Sequence, residues 1–150
     1  MMPMSSPEAV IVDIDGTLAL MGKDEEGRRR PYDWDRVIED DPNMPIIELV
    51  WHLARWYKLI FVSGRMEAAR PGTLKWLQRY CLWDEKTGQI TLLMRADGDF
   101  RKDSIVKEEI YRREIEGKYH VKYVLDDRDQ VVATWRKLGL TVLQVADGSF

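Results

Sequence analysis

Val10-Ile11-Val12-Asp13-Ile14-Asp15-Gly16-Thr17 is the stretch that decides the fold. With Ala9 it forms a short, β-branched apolar run, Ala9 to Ile14, of the kind found in a parallel strand buried on both faces. Two carboxylates one residue apart, directly after such a strand, would face the same crevice. Carboxylate oxygens suit a hard divalent cation. A carboxylate can also attack phosphorus and form an aspartyl-phosphate. Gly16 lets the backbone turn sharply beside a ligand, and the Thr17 hydroxyl with nearby N–H groups suits phosphate oxygens. The bland alternatives are a calcium loop or an ordinary Asp-Gly turn. D-x-D alone is a weak signal, but D-x-D-G-T immediately after an apolar strand is far more specific.

Outward from this segment, strands and helices alternate. A polar stretch runs from about Met21 to Asp41. Asn43-Met44-Pro45 then reads as a helix start with an early proline, followed by Ile46, Leu49, Val50, Leu53 and Trp56 at helical spacing. Leu59 to Val62 reads as a second buried strand, ending at Ser63-Gly64-Arg65. A helix begins near Pro71 and carries Leu74, Leu77 and Tyr80-Cys81. Ile90 to Met94 is a third strand, and Asp103 to about Ile115 a helix. Val121 to Leu125 is a fourth strand, ending at Asp126-Asp127-Arg128. Val131, Val132, Trp135 and Leu138 mark a helix closed by Gly139, and Leu140 to Val145 a last strand. The pattern predicts an α/β fold with a parallel sheet, right-handed crossovers and helices on both faces. Ligands in such sheets bind beyond the carboxyl ends of the strands. Asp13 and Asp15, Ser63-Gly64-Arg65 and Asp126-Asp127 therefore fall on one rim, and that coincidence outweighs any one cluster.

The chain has 150 residues, 45% hydrophobic and 33% charged, which fits one globular domain. Residues 1–7 read as a disordered leader and residues 8–150 as the domain. No apolar run approaches the roughly 20 residues of a membrane helix. The single cysteine, Cys81, excludes an intramolecular disulfide, fits a reducing cytoplasm and reads as a core thiol at a helix end. The net charge of −3 carries no global signal for nucleic acid, so a polyanion site has to be a local basic cluster. Most of the six tryptophans fall on helical apolar faces and read as core. Trp34 lies in a loop that could cover the site, where packing or stacking on a base are both open.

Each remaining candidate has a bland reading beside the chemical one. Ser63 could donate to a phosphate oxygen and Arg65 could grip one bidentately, yet Ser-Gly-Arg alone is an ordinary turn. Asp126 and Asp127 would complete a Mg2+ site, or begin a helix that Asp129 caps. Lys107 lies four residues after Asp103, so an exposed helical pair explains it, and spacing does not separate it from Lys102. Arg28-Arg29-Arg30 is either solvated surface or a phosphate contact just after the first strand. Arg65 and Arg70 are further candidates for such contacts.

Asp13-x-Asp15-Gly16-Thr17, Ser63, a later lysine and Asp126-Asp127 together resemble the haloacid dehalogenase-like (HAD) superfamily of phosphohydrolases. From about residue 8 to Phe150 the chain is similar to the 3′-phosphatase domain of the phage-type polynucleotide kinase-phosphatase family. The segments Arg30-Pro31-Tyr32-Asp33, Arg101-Lys102-Asp103 with Val106-Lys107-Glu108-Glu109-Ile110, and Gln144-Val145-Ala146 with Gly148 and Phe150 carry that closer likeness. The resemblance implies a three-layer α/β/α sandwich, a Rossmann-like HAD fold with a mostly parallel central sheet and a minimal cap. It implies Asp13 as nucleophile and Asp15 as general acid and then base. Ser63 and Lys107 would hold the phosphoryl group. Mg2+ would sit on Asp127, Asp13 and the Asp15 carbonyl, with Asp126 beside it. Arg65, Asp103 and, by local alignment, Arg29 match positions important in the family, with Gly64 and Arg30 adjacent to them.

The expected activity is hydrolysis of a terminal 3′-phosphomonoester of DNA or RNA. Asp15 has to be protonated in the first step, so its neighbours are expected to raise its pKa. No G-x-x-x-x-G-K-[ST] occurs, so no kinase activity is expected of this chain. A separate kinase or ligase is a possible partner. The competing expectations are a small-molecule phosphatase such as a nucleotidase, and a non-catalytic nucleic-acid-binding module of a larger end-healing enzyme.

Overall fold

The alternation of side chains along Ala9 to Val12 divides the molecule into layers. Val10 and Val12 enter one apolar cluster with Leu59 and Phe61, whereas Ala9 and Ile11 enter another with Ile60 and Val62. A strand that is apolar on both faces needs a helical layer over each. In the computed structural model, which describes residues 6–21 and 29–150, that is what surrounds it. The first five residues of the expected leader, and residues 22–28 of the charged loop, lie outside the described residues.

The elements in chain order are β1 (Glu8–Val12), β2 (Ala19–Leu20), β3 (Asp41–Pro42), α1 (Met44–Ala54), β4 (Lys58–Met66), α2 (Arg70–Arg79), β5 (Thr91–Arg95), α3 (Asp103–Ile110), β6 (His120–Asp126), α4 (Asp129–Lys137) and β7 (Val142–Gln144). Five strands form one sheet in the order β5-β4-β1-β6-β7, and every neighbouring pair is parallel. Ile47, Val50 and Ala54 of α1 and Trp76 and Leu77 of α2 cover one face. Val106 and Ile110 of α3 and Val131 and Trp135 of α4 cover the other. Trp76 and Trp135 are wholly buried, one on each side; truncating such a residue to alanine typically costs about 3–5 kcal/mol. The chain runs from β1 out to β4 and β5, then returns across β1 to β6 and β7. The crevice at the carboxyl end of β1 is therefore the topological switch point, where ligands bind in open α/β sheets.

Several local features differ from the sequence expectation, each for a physical reason. β4 does not stop at Ser63 but continues to Met66, with its register to β5 shifted between Ser63 and Met66. The segment after β1 is not featureless: β2 and β3 pair antiparallel, and Trp34–Glu39 forms a 3-10 helix. α1 ends at Ala54, so Trp56 falls beyond it and is 77% exposed rather than core. Cys81 is exposed, not buried, with φ +56°. It closes α2: the Cys81 N–H donates to the Gln78 carbonyl and the Leu82 N–H to the Leu77 carbonyl. These are the two bonds of a Schellman stop, and the buried residue that accompanies it is Leu82. Asp129 makes no side-chain cap on α4; its carboxylate accepts from Gln144 Nε2 at 2.7 Å instead. No helix among the described residues is long and apolar enough to cross a membrane.

Candidate active site

Asp13 is the first residue past β1, and its N–H donates to the Leu125 carbonyl of β6 at 3.0 Å. This bond fixes it at the crevice floor, where it is buried. Its Oδ1 accepts from Lys107 Nζ at 2.6 Å and its Oδ2 from Thr17 Oγ1 at 3.0 Å. Lys107 is 1% exposed and also donates to Asp126 Oδ2 at 3.2 Å. Asp103, one helical turn earlier, stands 3.7 Å from Nζ. Burial alone would lower the Lys107 pKa. The Asp126 and Asp13 charges outweigh it and push the pKa up, so the group stays an ammonium. Asp13 has the opposite problem: burial, then repulsion from Asp126, raise its carboxyl well above the usual range despite Lys107. Asp127 is also raised, chiefly by burial.

Carboxylate oxygens of Asp13, Asp126 and Asp127 lie within 4.8 Å of one another. The three are not equivalent. Asp126 Oδ1 accepts the N–H groups of Asp127 and Arg128 at 2.9 and 3.3 Å. Its Oδ2 takes Lys107 and Trp135 Nε1, each at 3.2 Å. Its lone pairs are thereby committed to holding the framework. Asp13 and Asp127 keep free lone pairs towards the crevice. Gly16, with φ +83°, passes so close that a Cβ there would overlap the Asp127 carboxylate. Buried, hard, anionic oxygens in excess over the one ammonium are a donor set that fits Mg2+, which takes one or two carboxylates and completes its octahedron with other oxygens. The raised pKa values of Asp13 and Asp127 show the charge that such a cation would neutralise.

Asp15 turns away from this cluster. Arg65 grips it fork to fork, with Nε to Oδ2 at 2.9 Å and Nη2 to Oδ1 at 2.7 Å. Arg65 Nη2 also reaches Asp40 Oδ2 at 2.8 Å, and Nη1 reaches Thr73 Oγ1 at 3.0 Å. Arg29 completes the group, with Nε to Asp40 Oδ1 at 2.7 Å and Nη2 to Asp15 Oδ1 at 3.4 Å. Desolvation pushes the Asp15 carboxyl up, but the Arg65 charge and its hydrogen bonds more than offset this, so the pKa lies below the ordinary value. The expectation of a raised Asp15 pKa is therefore wrong for this arrangement. Its nearest charges in space are cations, not Asp13.

Asp13, Asp15, Arg29, Arg65, Asp127 and Arg128 all line one cavity of about 240 Å³ at this crevice. Residues 7–150 match the HAD-type family described as "Polynucleotide kinase PNKP phosphatase domain". The chain belongs to this family. A relative in this class, the "Putative bifunctional polynucleotide kinase/RNA ligase" of Autographa californica nuclear polyhedrosis virus, is 36% identical over 143 residues, which is 93% of this chain and 19% of that protein. A chain in the solved "Structure of the Pnkp1/Rnl/Hen1 RNA repair complex" is 40% identical with a TM-score of 0.86, covering 100% of this chain and 46% of its own. This chain thus spans less than half of either protein. The class C acid phosphatase of Bacillus anthracis, at 13% identity and a TM-score of 0.59 over 97% of this chain and 68% of that one, shares the fold.

Within this PNKP phosphatase domain, the structure gathers Asp13, Lys107, Asp126, Asp127 and Thr17 into one buried group, and Asp15, Arg29 and Arg65 into an adjoining one. Lys107 is no surface pair: it is buried against Asp13, whereas Lys102 is exposed. Asp103 lies against Gly64, where a Cβ would overlap its carboxylate, and accepts from Arg95 at 3.3 Å. Thr17 bonds Asp13 and Asp127 rather than facing the cavity, and Ser63 Oγ accepts the Arg65 N–H at 3.1 Å. Arg30 is exposed and outside the cavity, while Arg70 pairs with Glu67 at 2.7 Å; neither stands in the site. Arg28 lies outside the described residues. Sequence reasoning missed Asp40, which is 5% exposed and holds both arginines. It also missed Arg128. The signal for Asp40 was faint: it is the middle of three consecutive acids, Glu39-Asp40-Asp41, just before the helix start, and nothing local sets it apart from its neighbours.

Proposed function

We propose that this domain hydrolyses terminal 3′-phosphomonoesters of DNA or RNA through an aspartyl-phosphate on Asp13. The observation that carries the reading is Asp13 itself, a buried carboxylate at the switch point, aimed by Lys107 and Thr17 into a cavity walled by four arginines, Arg29, Arg65, Arg95 and Arg128. Family membership supports the substrate class.

Asp13 attacks phosphorus in line and the bond to the 3′-oxygen breaks. Lys107 and the Ser63 hydroxyl hold phosphoryl oxygens, so that charge developing in transfer meets donors already in place. Mg2+, held by Asp13, Asp127 and the Asp15 carbonyl, would supply further charge neutralisation when bound. Asp15 gives its proton to the leaving 3′-oxygen, then takes one from the water that cleaves the acyl phosphate. The Arg65 clasp displays Asp15 as the base. An arriving phosphate dianion would compete for the Arg65 and Arg29 guanidinium groups and repel the Asp15 charge. Both effects raise the Asp15 pKa towards the acid form that the first step needs.

The test is phosphate release from matched 3′-phosphorylated DNA and RNA oligonucleotides, with Mg2+ and with chelator. Mg2+-dependent release is expected, and Asp13→Asn should abolish it. Faster release from free nucleotides than from either oligonucleotide would turn the reading to a nucleotidase. The viral relative named a kinase/RNA ligase, and the neighbour in a complex with Rnl and Hen1, support a setting in which a kinase and a ligase act on the same ends, in the same chain or in trans.

A further inference from the structure

A second groove of about 290 Å³ opens beside the catalytic cavity. The two share Tyr32, Trp34, Gly64, Arg95, Asp103 and Arg128 as walls, so they are continuous. The new walls are Met66 and the segment Asp99 to Lys102. Among the described residues, seven large apolar side chains are exposed, and two of them line this groove: Tyr32 at 66% and Phe100 at 76%. A third, Phe150, lines the cavity mouth, with its ring engaged by the Arg128 guanidinium at 5.2 Å.

Phe100 is displayed on a rigid loop. Arg95 Nη1 donates to the carbonyls of Asp99 and Arg101 at 3.1 and 2.6 Å, and Arg95 Nε to the Gly64 carbonyl at 2.8 Å. Arg101 Nε bonds Asp99 Oδ1 at 3.0 Å, and its Nη1 bonds Glu109 at 2.7 Å. The arginines are spent on holding the loop, and the Phe100 benzyl group is left largely exposed. Tyr32 is set by an edge-to-face contact with Trp34, with centroids 5.7 Å apart at 89°. Lys102, in the same groove, has no ion-pair partner among the described residues. A fixed, exposed ring beside a free ammonium, continuous with a phosphate pocket, has the composition of a site for a base and its phosphodiester. Preorganisation removes much of the ordering cost of such binding.

We infer that this groove takes the nucleotide immediately 5′ of the phosphorylated terminal one, its base stacked on Phe100 opposite Tyr32 and its phosphodiester against Lys102. The inference rests on the 3′-phosphatase reading and deepens it: it makes the enzyme select a polynucleotide end over a mononucleotide.

The experiment compares kcat/KM on a 3′-phosphorylated trinucleotide with that on a nucleoside 3′-monophosphate, for the wild-type chain, Phe100→Ala, Lys102→Gln and Trp56→Ala. The wild-type ratio should favour the trinucleotide. Phe100→Ala should lower that ratio at least about fivefold, the low end for loss of a stacking aromatic, and mainly through KM. Lys102→Gln should lower it and weaken its dependence on salt. Trp56→Ala, whose exposed ring lines neither cavity, should leave it unchanged. A wild-type ratio near one, or a ratio that Phe100→Ala and Lys102→Gln leave unmoved, overturns the groove while sparing the phosphatase reading. No release from either substrate overturns both.

Discussion

Arg65 Nη2 stands 2.7 Å from Asp15 Oδ1 and 2.8 Å from Asp40 Oδ2, so one guanidinium bridges an exposed carboxylate of the site and a buried one behind it. Asp40 is in turn held by Arg29 at 2.7 Å, and its carbonyl accepts Trp76 Nε1 at 2.9 Å. The position of the Asp15 carboxylate is thus transmitted from the core beneath α2. The clasp explains how a half-exposed carboxylate keeps one geometry and stays ionised.

Arg65→Lys should therefore be far from conservative. A lysine cannot reproduce the fork on Asp15 together with the bonds to Asp40 and Thr73. Losing two charge-assisted bonds, each about 1.5–3 kcal/mol, predicts at least a hundredfold loss in kcat/KM. Arg65→Met should in addition lower stability by about 3 kcal/mol, the low end for breaking a buried pair because Arg29 still holds Asp40. Denaturant titration of both variants beside steady-state kinetics checks this; wild-type turnover in Arg65→Lys would remove the clasp from the mechanism.

The carboxylate cluster predicts a conflict between function and stability. Folding raises the Asp13 and Asp127 pKa values. Their ionisation therefore costs stability, and the metal-free protein should become less stable as pH rises above the unfolded carboxylate range. In chelator, Asp127→Asn should melt at or above the wild-type temperature. Saturating Mg2+ should stabilise the wild type by about 2.7 kcal/mol at a hundred times Kd and the variant by much less. Equal Mg2+ shifts in the two proteins would place the cation elsewhere.

Sequence made some of these features visible and hid others for definite reasons. β1 and Asp13 were legible because an apolar run and D-x-D-G-T are local signals. Lys107 was legible only through the family resemblance, because its spacing from Asp103 is met equally by a surface pair; the depth of α3 shows that the ammonium has left water. The Asp15 pKa was expected on the wrong side because the nearest acid in sequence, Asp13, is not the nearest charge in space. That charge is Arg65, 50 residues away. Asp40 was invisible because its role exists only once Arg29 and Arg65 meet on it. Cys81 looked like core because helix ends often are, whereas a left-handed stop places that residue outside and the next one, Leu82, inside.

The loop that carries Phe100 has its own pH signature. Hydrogen bonds from Arg101 hold the Asp99 pKa at about 2. A depressed carboxyl contributes stability above its unfolded pKa, about 3.9, and loses it as pH falls through the folded value. Asp99→Asn should lower Tm slightly at neutral pH, with the difference from wild type closing between about pH 4 and pH 2. The pair is exposed, so added salt should narrow the difference at neutral pH too. A gap that persists unchanged in acid would mean that the Asp99 carboxylate does not hold the loop.

Gly16→Ala tests whether the backbone turn and the proposed metal ligand, Asp127, are one device. A φ of +83° is strained for alanine, at a cost of about 1–2 kcal/mol, and that alone predicts a modest fall in stability. The Cβ would also meet the Asp127 carboxylate, which cannot retreat freely because the Asp127 N–H is tied to Asp126 at 2.9 Å and its carbonyl to Gln144 Nε2 at 3.0 Å. The displaced group is then the carboxylate facing the crevice. The variant should need a several-fold higher Mg2+ concentration for half-maximal activity, beyond what its stability loss explains, when assayed well below its Tm. Reduced stability with an unchanged Mg2+ requirement would make Gly16 a turn residue only. A raised Mg2+ requirement in a folded protein ties the conformation of residue 16 to the carboxylate at the end of β6.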